Sequence, residues 1–123
     1  MNIGDKSEIR DYCFIGANVY IGKNTRIYQH CNIVAWSIVK DDCFIGHQTS
    51  FCNDKDIMYP DPDGEFVPDP PIVDNNVRIG AGVVVLPGVR LAQGCKVGAG
   101  SVVTRSVPSG ETWAGNPAKR TYG

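Results

Sequence analysis

The chain has 123 residues and a formal net charge of −1, from 12 basic and 13 acidic residues. A chain of this length can bury one modest hydrophobic core, so we expect a single domain over residues 1–123. The near-neutral charge and the absence of a basic cluster argue against a nucleic-acid partner, and no apolar run approaches the roughly 20 residues of a membrane span.

An aliphatic residue falls at every sixth position from Ile3 until Phe51 closes the series. A small residue stands four places after each aliphatic, and the fourth place of several hexads holds Asn or Asp, as at Asn18 and Asp42. A period of six fits neither a helix nor a simple amphipathic strand. It predicts one short strand and one corner per hexad, with three hexads closing a triangular coil that stacks on the next coil. The aliphatic and small residues then point inward, while Gly, Asn and Asp supply the backbone angles of the corners.

The last residue of each hexad should point outward, and several of these residues are large and apolar. Tyr20 and Ile38 are 18 residues apart, so they stack on one side of the prism. An exposed apolar strip of this kind favours a subunit contact. The alternative is that apolar residues are merely scattered over the surface.

The register breaks after Asn53, and the stretch from about 54 to 72 is rich in Pro and Asp. So many prolines exclude helix and interior strand, which predicts a protruding loop that covers a site or reaches a neighbour. An acidic disordered excursion is the alternative. The sixfold repeat resumes at Val73 and runs to Val103, giving about five coils in all. We expect the tail from Pro108 to leave the coils and cap their open end.

Four of the five cysteines lie at the small inward place of their hexads, where we expect reduced, packed thiols. These are Cys13, Cys31, Cys43 and Cys95. Cys13 and Cys31 are one coil apart, so a disulfide between them is the alternative.

The end of the chain carries the most specific motif. V-G-A-G-S-V-V-T-R-S-V-P at 97–108, followed by W-A-G-N-P-A-K-R at 113–120, closely resembles the end of the hexapeptide-repeat acyltransferases. With the repeats, the resemblance spans nearly the whole chain. It implies a left-handed parallel β-helix and an acyl donor carried by coenzyme A or an acyl-carrier protein.

The resemblance also implies a donor site. A flat side with small residues at the corners lets the pantetheine arm lie against the backbone, which assigns the groove to Ala81, Gly82, Ala99 and Gly100. The adenine and phosphate end would meet cations and a hydroxyl, here Thr104, Arg105, Lys119 and Arg120. The alternative is that the glycines only turn corners and the cations are solvated.

The stretch F-C-N-D-K at 51–55, with Tyr59 and Pro60, is similar to the members that acylate the amino group of nucleotide-linked deoxysugars. In those members the Asn faces the reacting centre, so Asn53 is the residue carried over, with Tyr59 as a substrate contact. This chain departs from the pattern by three extra residues before Tyr59 and by Asp61 in place of an arginine. Arg78 is the nearest cation that we can assign to a pyrophosphate.

His30 and His47 are the two histidines, and their hexads are one coil apart, so we expect them on the same side of the prism. Either could be a general base near neutral pH, and His47 is favoured because it lies one hexad before Asn53. The alternative is that both are surface or interface polar residues. Cys52 as a nucleophile is a competing proposal.

The sequence therefore predicts an acetyl-CoA-dependent N-acetyltransferase acting on a nucleotide-linked amino sugar by direct attack on the thioester. Donor and acceptor need a second wall, which predicts a homotrimer. No metal is expected, since zinc in the γ-carbonic anhydrases of this fold needs three histidines. Met1 leads straight into the first repeat, so the expected location is the cytoplasm. The alternatives are an O-acetyltransferase that uses a histidine base and a non-catalytic β-helix scaffold.

Overall fold

The computed structural model describes residues 2–54 and 68–121. These residues form a prism of three parallel sheets built from very short strands, and the left-handed parallel β-helix predicted from the sequence is the fold. The strands are β1 (Asn2–Ile3), β2 (Glu8–Ile9), β3 (Phe14–Ile15), β4 (Tyr20–Ile21), β5 (Arg26–Ile27), β6 (Asn32–Ile33), β7 (Ile38–Val39), β8 (Phe44–Ile45), β9 (Ser50–Phe51), β10 (Ile72–Val73), β11 (Arg78–Ile79), β12 (Val84–Val85), β13 (Arg90–Leu91), β14 (Lys96–Val97), β15 (Val102–Val103), β16 (Thr112–Gly115) and β17 (Ala118–Arg120).

From β1 to β15, every third strand joins the same sheet, as a three-sided coil requires. Sheet A contains β1, β4, β7, β10 and β13, and sheet C contains β3, β6, β9, β12 and β15. Sheet B contains β2, β5, β8, β11, β14, β16 and β17. We call the turns that join the sheets the A–B, B–C and C–A edges. The coils of β1–β9 are the lower coils, and those of β10–β17 are the upper coils.

The predicted inward residues form the core. The aliphatic series from Ile21 to Phe51 is fully buried, and the small residues beside it, such as Thr25 and Cys31, are buried as well. The thiols of this core are unpaired. Burial raises the pKa of Cys31 to about 11 and that of Cys95 to about 12, so both are protonated thiols at neutral pH.

In several corners, one residue supplies the left-handed backbone angle and another allows the coils to pack closely, which corrects the prediction that Gly, Asn and Asp all supply the corner angles. The fourth residue of the hexad has a positive φ, as at Asn18 (58°) and Asn24 (54°). The glycine directly after the aliphatic residue serves close packing between coils instead. A Cβ on Gly46 would lie 2.7 Å from the backbone nitrogen of Ala81 on the next coil.

The C-terminal tail also corrects the prediction, because the chain does not leave the coils at Pro108. Val107 still pairs with Leu91 on sheet A, and β16 adds a sixth parallel rung to sheet B beside β14. β17 then folds back antiparallel to β16. The tail stays in the coil because Val107 and Trp113 still bury their side chains, and Trp113 closes the upper end of the prism.

The break in the repeat lies on the C–A edge. The Asp69 backbone nitrogen donates to the Asn53 carbonyl at 3.0 Å, and Gly88 donates to the Asp69 carbonyl at 2.8 Å. Both ends of the insertion therefore meet at one corner. The repeat resumes with Ile72 in β10, slightly earlier than predicted. The rest of the predicted loop, residues 55–67, lies outside the described residues.

Candidate active site

Both histidines lie on the B–C edge, on successive coils, as their hexads predict. They occupy different places in their turns, because His30 has the positive φ of the fourth hexad position (65°) and His47 stands one place earlier. The His30 ring stacks on Tyr12, with centroids 5.3 Å apart and planes 13° from parallel. The His47 ring instead meets Tyr28 edge to face at 4.9 Å. Each imidazole therefore has its own aromatic partner.

The B–C edge above His47 presents only backbone and methyl groups. Gly82 donates its N–H to the His47 carbonyl at 2.7 Å, and Gly100 donates to the Ala81 carbonyl at 2.8 Å. A Cβ on Gly82 or on Gly100 would meet nothing within 4 Å. We call the exposed residues Ala81, Gly82, Ala99 and Gly100 the small-residue strip. The structure thus brings together the four residues predicted for the pantetheine groove, directly above His47.

The predicted phosphate-binding group is divided between two parts of the upper end. Lys119 of β17 lies opposite Ala114, and Ala114 continues the B–C edge above Gly98. Lys119 therefore stands at the top of the small-residue strip. Thr104 and Arg105 follow β15 on the C–A edge.

Arg105 and Arg120 are tied to the end cap. The Arg105 guanidinium lies 5.6 Å from the Trp113 ring centroid. Arg120 pairs with Glu111 at 3.7 Å, and Glu111 also accepts the Trp113 indole N–H at 3.0 Å. Arg105 therefore packs over the indole that closes the prism, and Arg120 pairs with the carboxylate that accepts the indole N–H.

Asn53 lies on the C–A edge directly after β9, half-buried. His47 precedes β9 on the same coil, so the two predicted catalytic residues stand on different edges, at opposite sides of sheet C. Beside Asn53, burial raises the pKa of the Cys52 thiol. A protonated thiol is a poor nucleophile, which argues against covalent catalysis by Cys52.

Arg78 is not brought near Asn53. Its side chain projects from sheet B, and its guanidinium donates to the Asp42 carbonyl on the A–B edge. Tyr59, the other predicted substrate contact, lies outside the described residues.

The structure adds three residues that the sequence reading missed, all on the lower B–C edge. Tyr28 contacts Phe44 as well as His47, and its ring lies 5.2 Å from the Arg10 guanidinium. The Tyr12 ring stacks on the His30 ring. The sequence carried a signal for two of them. Tyr28 and Arg10 directly follow the aliphatic residue of their hexads, a place that holds glycine in several other hexads.

Within 2–54 and 68–121, no three His, Cys, Asp or Glu side chains cluster as metal ligands would. Over the same ranges, no helix has the length and apolar character needed to cross a membrane.

Residues 70–105 match the family model described as bacterial transferase hexapeptide (six repeats). The galactoside O-acetyltransferase of Lactococcus lactis subsp. lactis (strain IL1403) is 36% identical over 129 residues. That alignment covers 90% of this chain and 60% of the relative, so the chain spans less than two thirds of its length.

Two solved structures share the fold. A hexapeptide-repeat acetyltransferase from Vibrio cholerae O1 biovar eltor, complexed with acetyl coenzyme A, is 25% identical, with a TM-score of 0.84 over 98% of this chain and 69% of that one. A variant of AntD, an N-acyltransferase from Bacillus cereus in complex with dTDP-4-amino-4,6-dideoxyglucose and coenzyme A, is 20% identical. Its TM-score is 0.72 over 98% of this chain and 82% of that one. The family model matches less than a third of this chain, and the AntD structure, at 20% identity, shares its fold.

Proposed function

We propose that this chain is an acetyl-CoA-dependent acetyltransferase whose acceptor is the amino group of a nucleotide-linked amino sugar. The observation that carries the proposal is the small-residue strip directly above His47. An extended, thin donor can lie along such a strip and reach backbone groups that larger side chains would cover. Lys119 at its upper end offers a cation to the phosphates. The acetyl-CoA complex of the Vibrio relative supports the donor.

In the proposed reaction the acceptor nitrogen attacks the thioester carbonyl, forming a C–N bond as the C–S bond breaks. The nitrogen loses a proton to His47, and the coenzyme A sulfur leaves as the thiolate. Asn53 orients the acceptor through its amide. The amino-sugar assignment is supported by the resemblance around Asn53 and by the ligand of AntD.

His47 and Asn53 act together only if two chains meet, because sheet C separates them within one chain. The outward-facing residues of sheets A and B support such a contact between chains. Besides Phe44, sheet B presents the charged residues Glu8, Arg26, Arg78 and Lys96. Sheet A presents Tyr20, Ile38 and Ile72, with Asn2 and Arg90 on its two end strands. We therefore propose a homotrimer in which the B–C edge of one subunit faces the C–A edge of the next. The cytoplasmic location stays a prediction.

The donor site is tested by filling the strip. Ala99→Phe places a large ring on the strip at a position without positive φ, so we expect acetyl-CoA binding, measured by calorimetry, to be lost. Gln93→Phe is the matched control, because exposed Gln93 occupies the same place in a turn of the A–B edge, away from the proposed subunit contact. Equal affinity of both variants for acetyl-CoA would reject the strip as the donor site.

The shared site is tested by complementation. His47→Ala and Asn53→Ala should each lower kcat by roughly 10²-fold or more. Co-expressed trimers of the two variants should recover about one quarter of wild-type activity, since one interface in four pairs an intact His47 with an intact Asn53. No recovery above the two single variants would reject a site between subunits. Lys96→Ala, on the charged face of sheet B, serves as the control for oligomer mass and activity.

A hydroxyl acceptor is the second candidate, and the name of the Lactococcus relative favours it. A hydroxyl needs a base far more than an amine does, because an amine has an appreciable neutral fraction near neutral pH. Assays with matched amino- and hydroxy-sugar acceptors separate the two. An O-acetyltransferase would prefer the hydroxyl acceptor, lose activity in His47→Ala and keep it in Asn53→Ala.

A further inference from the structure

The lower end of the B–C edge carries an exposed aromatic stack with no assigned role. The Tyr12 side chain is 81% exposed, and its ring stacks on His30. Both residues have positive φ, 64° at Tyr12 and 65° at His30. Glycine or asparagine adopts this conformation at a lower cost, so the two rings stack at corners where a smaller residue would strain the backbone less.

The stack continues the edge that carries the candidate active site. Tyr12, His30 and His47 lie on three successive coils, and each coil rises by about 4.8 Å, the spacing of paired strands. Tyr12 therefore lies about 10 Å below His47. An acceptor whose amine is at His47 can extend down the edge to Tyr12, while the donor occupies the strip above.

Between these two points the edge carries a cation. The Arg10 guanidinium packs over the Tyr28 ring, and Tyr28 also contacts His47. Arg10 also pairs with Glu8 at 2.9 Å, but the two side chains are 43% and 49% exposed, so water screens this ion pair. A guanidinium stacked on a ring keeps its N–H edge available for a phosphate.

We propose that Tyr12, His30 and Arg10 bind the nucleoside diphosphate part of the acceptor. The base stacks on Tyr12, and the diphosphate lies beside Arg10. This inference rests on the proposed function and deepens it, because it assigns the acceptor a binding site distinct from the donor strip. It also gives His30 a stacking role and leaves His47 as the base.

Calorimetry with dTDP and with UDP, on the full chain saturated with coenzyme A, tests the site. Tyr12→Ala should weaken binding of the preferred diphosphate by about fivefold or more, the usual loss when a base loses its aromatic partner. Tyr12→Phe keeps the ring and should restore affinity to within about twofold. Tyr12→Gly removes the ring but relieves the left-handed backbone, so it should bind as weakly as Tyr12→Ala in a chain that folds normally.

Lys6→Ala is the matched control, because Lys6 has the same backbone conformation (φ 62°) on the A–B edge. It should leave diphosphate affinity unchanged. Arg10→Ala should weaken dTDP binding and leave thymidine binding as it was.

Wild-type affinity for the diphosphate in Tyr12→Ala and Tyr12→Gly would overturn the inference. A change of oligomer mass in these variants would also overturn it, because the stack would then be a subunit contact. Acetylation of a simple amine without binding of dTDP or UDP would overturn both this inference and the nucleotide-linked acceptor, and would leave acetyl-CoA-dependent N-acetyl transfer intact. By contrast, failure of the wild-type chain to bind acetyl-CoA would reject the proposed function itself.

Discussion

The lower and upper coils make the same left-handed corner from different residues. In the lower coils every corner from Lys6 to Gln48 uses a residue other than glycine. In the upper coils the left-handed corners use glycine, as at Gly82, Gly94 and Gly100, apart from Asn76, and the corner at Ser106 has no positive φ. A residue with a Cβ costs roughly 1–2 kcal/mol in this conformation, less when it is Asn or Asp. The lower coils therefore carry backbone strain that the upper coils avoid.

The exposed surface follows the same division. Within the described ranges 2–54 and 68–121, all exposed large hydrophobic residues belong to the lower coils: Ile3, Tyr12, Phe14, Tyr20 and Trp36. The upper B–C edge presents backbone instead. This difference suits the proposed function, in which the upper coils hold the thin donor and the lower coils hold the base of the acceptor.

The largest expected change in stability comes from comparing the upper and lower ends of the prism. Trp113 is 9% exposed and closes the upper end, whereas Ile3 at the lower end is 44% exposed. We expect Trp113→Ala to lower the free energy of unfolding by about 3 kcal/mol, because a buried indole is lost. Ile3→Ala should cost about 1 kcal/mol or less, since part of its side chain is already in water. Urea denaturation measures both.

Equal losses in the two variants would contradict the view that the Trp113 side chain stabilises its end of the prism more than Ile3 does.

Close packing between coils gives the second test. Gly46→Ala would push a Cβ to 2.7 Å from backbone atoms of Gly80 and Ala81, and backbone cannot rotate away. We expect a loss of about 2–3 kcal/mol in urea denaturation. Gly98→Ala is the control, because its Cβ would meet the Ala114 methyl at 3.0 Å and backbone only at 3.9 Å. A loss in Gly98→Ala as large as that in Gly46→Ala would contradict this explanation.

These glycines show what the sequence could and could not predict. A period of six fixes which side chains face inward, so the prism, its core and the edge positions of His47 and the small-residue strip followed from counting residues. Counting could not tell a glycine that supplies a positive φ from a glycine that allows close packing between coils, because glycine suits both places. The tail was misread because its inward residue, Trp113, no longer keeps the period. Asn53 and His47 proved to stand on different edges, since closeness along the chain is not closeness in a three-sided coil.

Alkaline pH offers the third test. Burial raises the pKa of Cys31 in the lower coils to about 11, above its ordinary value of 9.0. A raised folded-state pKa means that the stabilisation is complete below about pH 9 and is lost as the pH rises toward 11. Between pH 8 and pH 10.5, we expect the free energy of unfolding to fall by about 1–2 kcal/mol more in the wild type than in Cys31→Ser.

The serine keeps a donor for the Gly46 carbonyl, which Cys31 Sγ reaches at 3.1 Å, but does not titrate in this range. Urea denaturation at the two pH values gives the difference, and identical pH dependence in both chains would rule out the buried thiol as its cause. Cys95→Ser repeats the measurement in the upper coils, where burial raises the pKa to about 12.

The smallest expected effect tests the corner strain itself, through neighbouring positions on the B–C edge. Gln48 (φ 60°) and Gly82 (φ 67°) occupy the same corner place on successive coils. Gln48→Gly should raise the free energy of unfolding by up to about 1 kcal/mol, because relief of the left-handed strain exceeds the added freedom of the unfolded chain. Gly82→Ala should lower it by about 1 kcal/mol, since its Cβ meets no atom within 4 Å and only the backbone conformation is penalised. Urea denaturation measures both changes in the free energy of unfolding. Changes of opposite sign would show that the non-glycine corners of the lower coils destabilise the fold measurably. Changes of the same sign would show that backbone strain does not distinguish the lower from the upper coils.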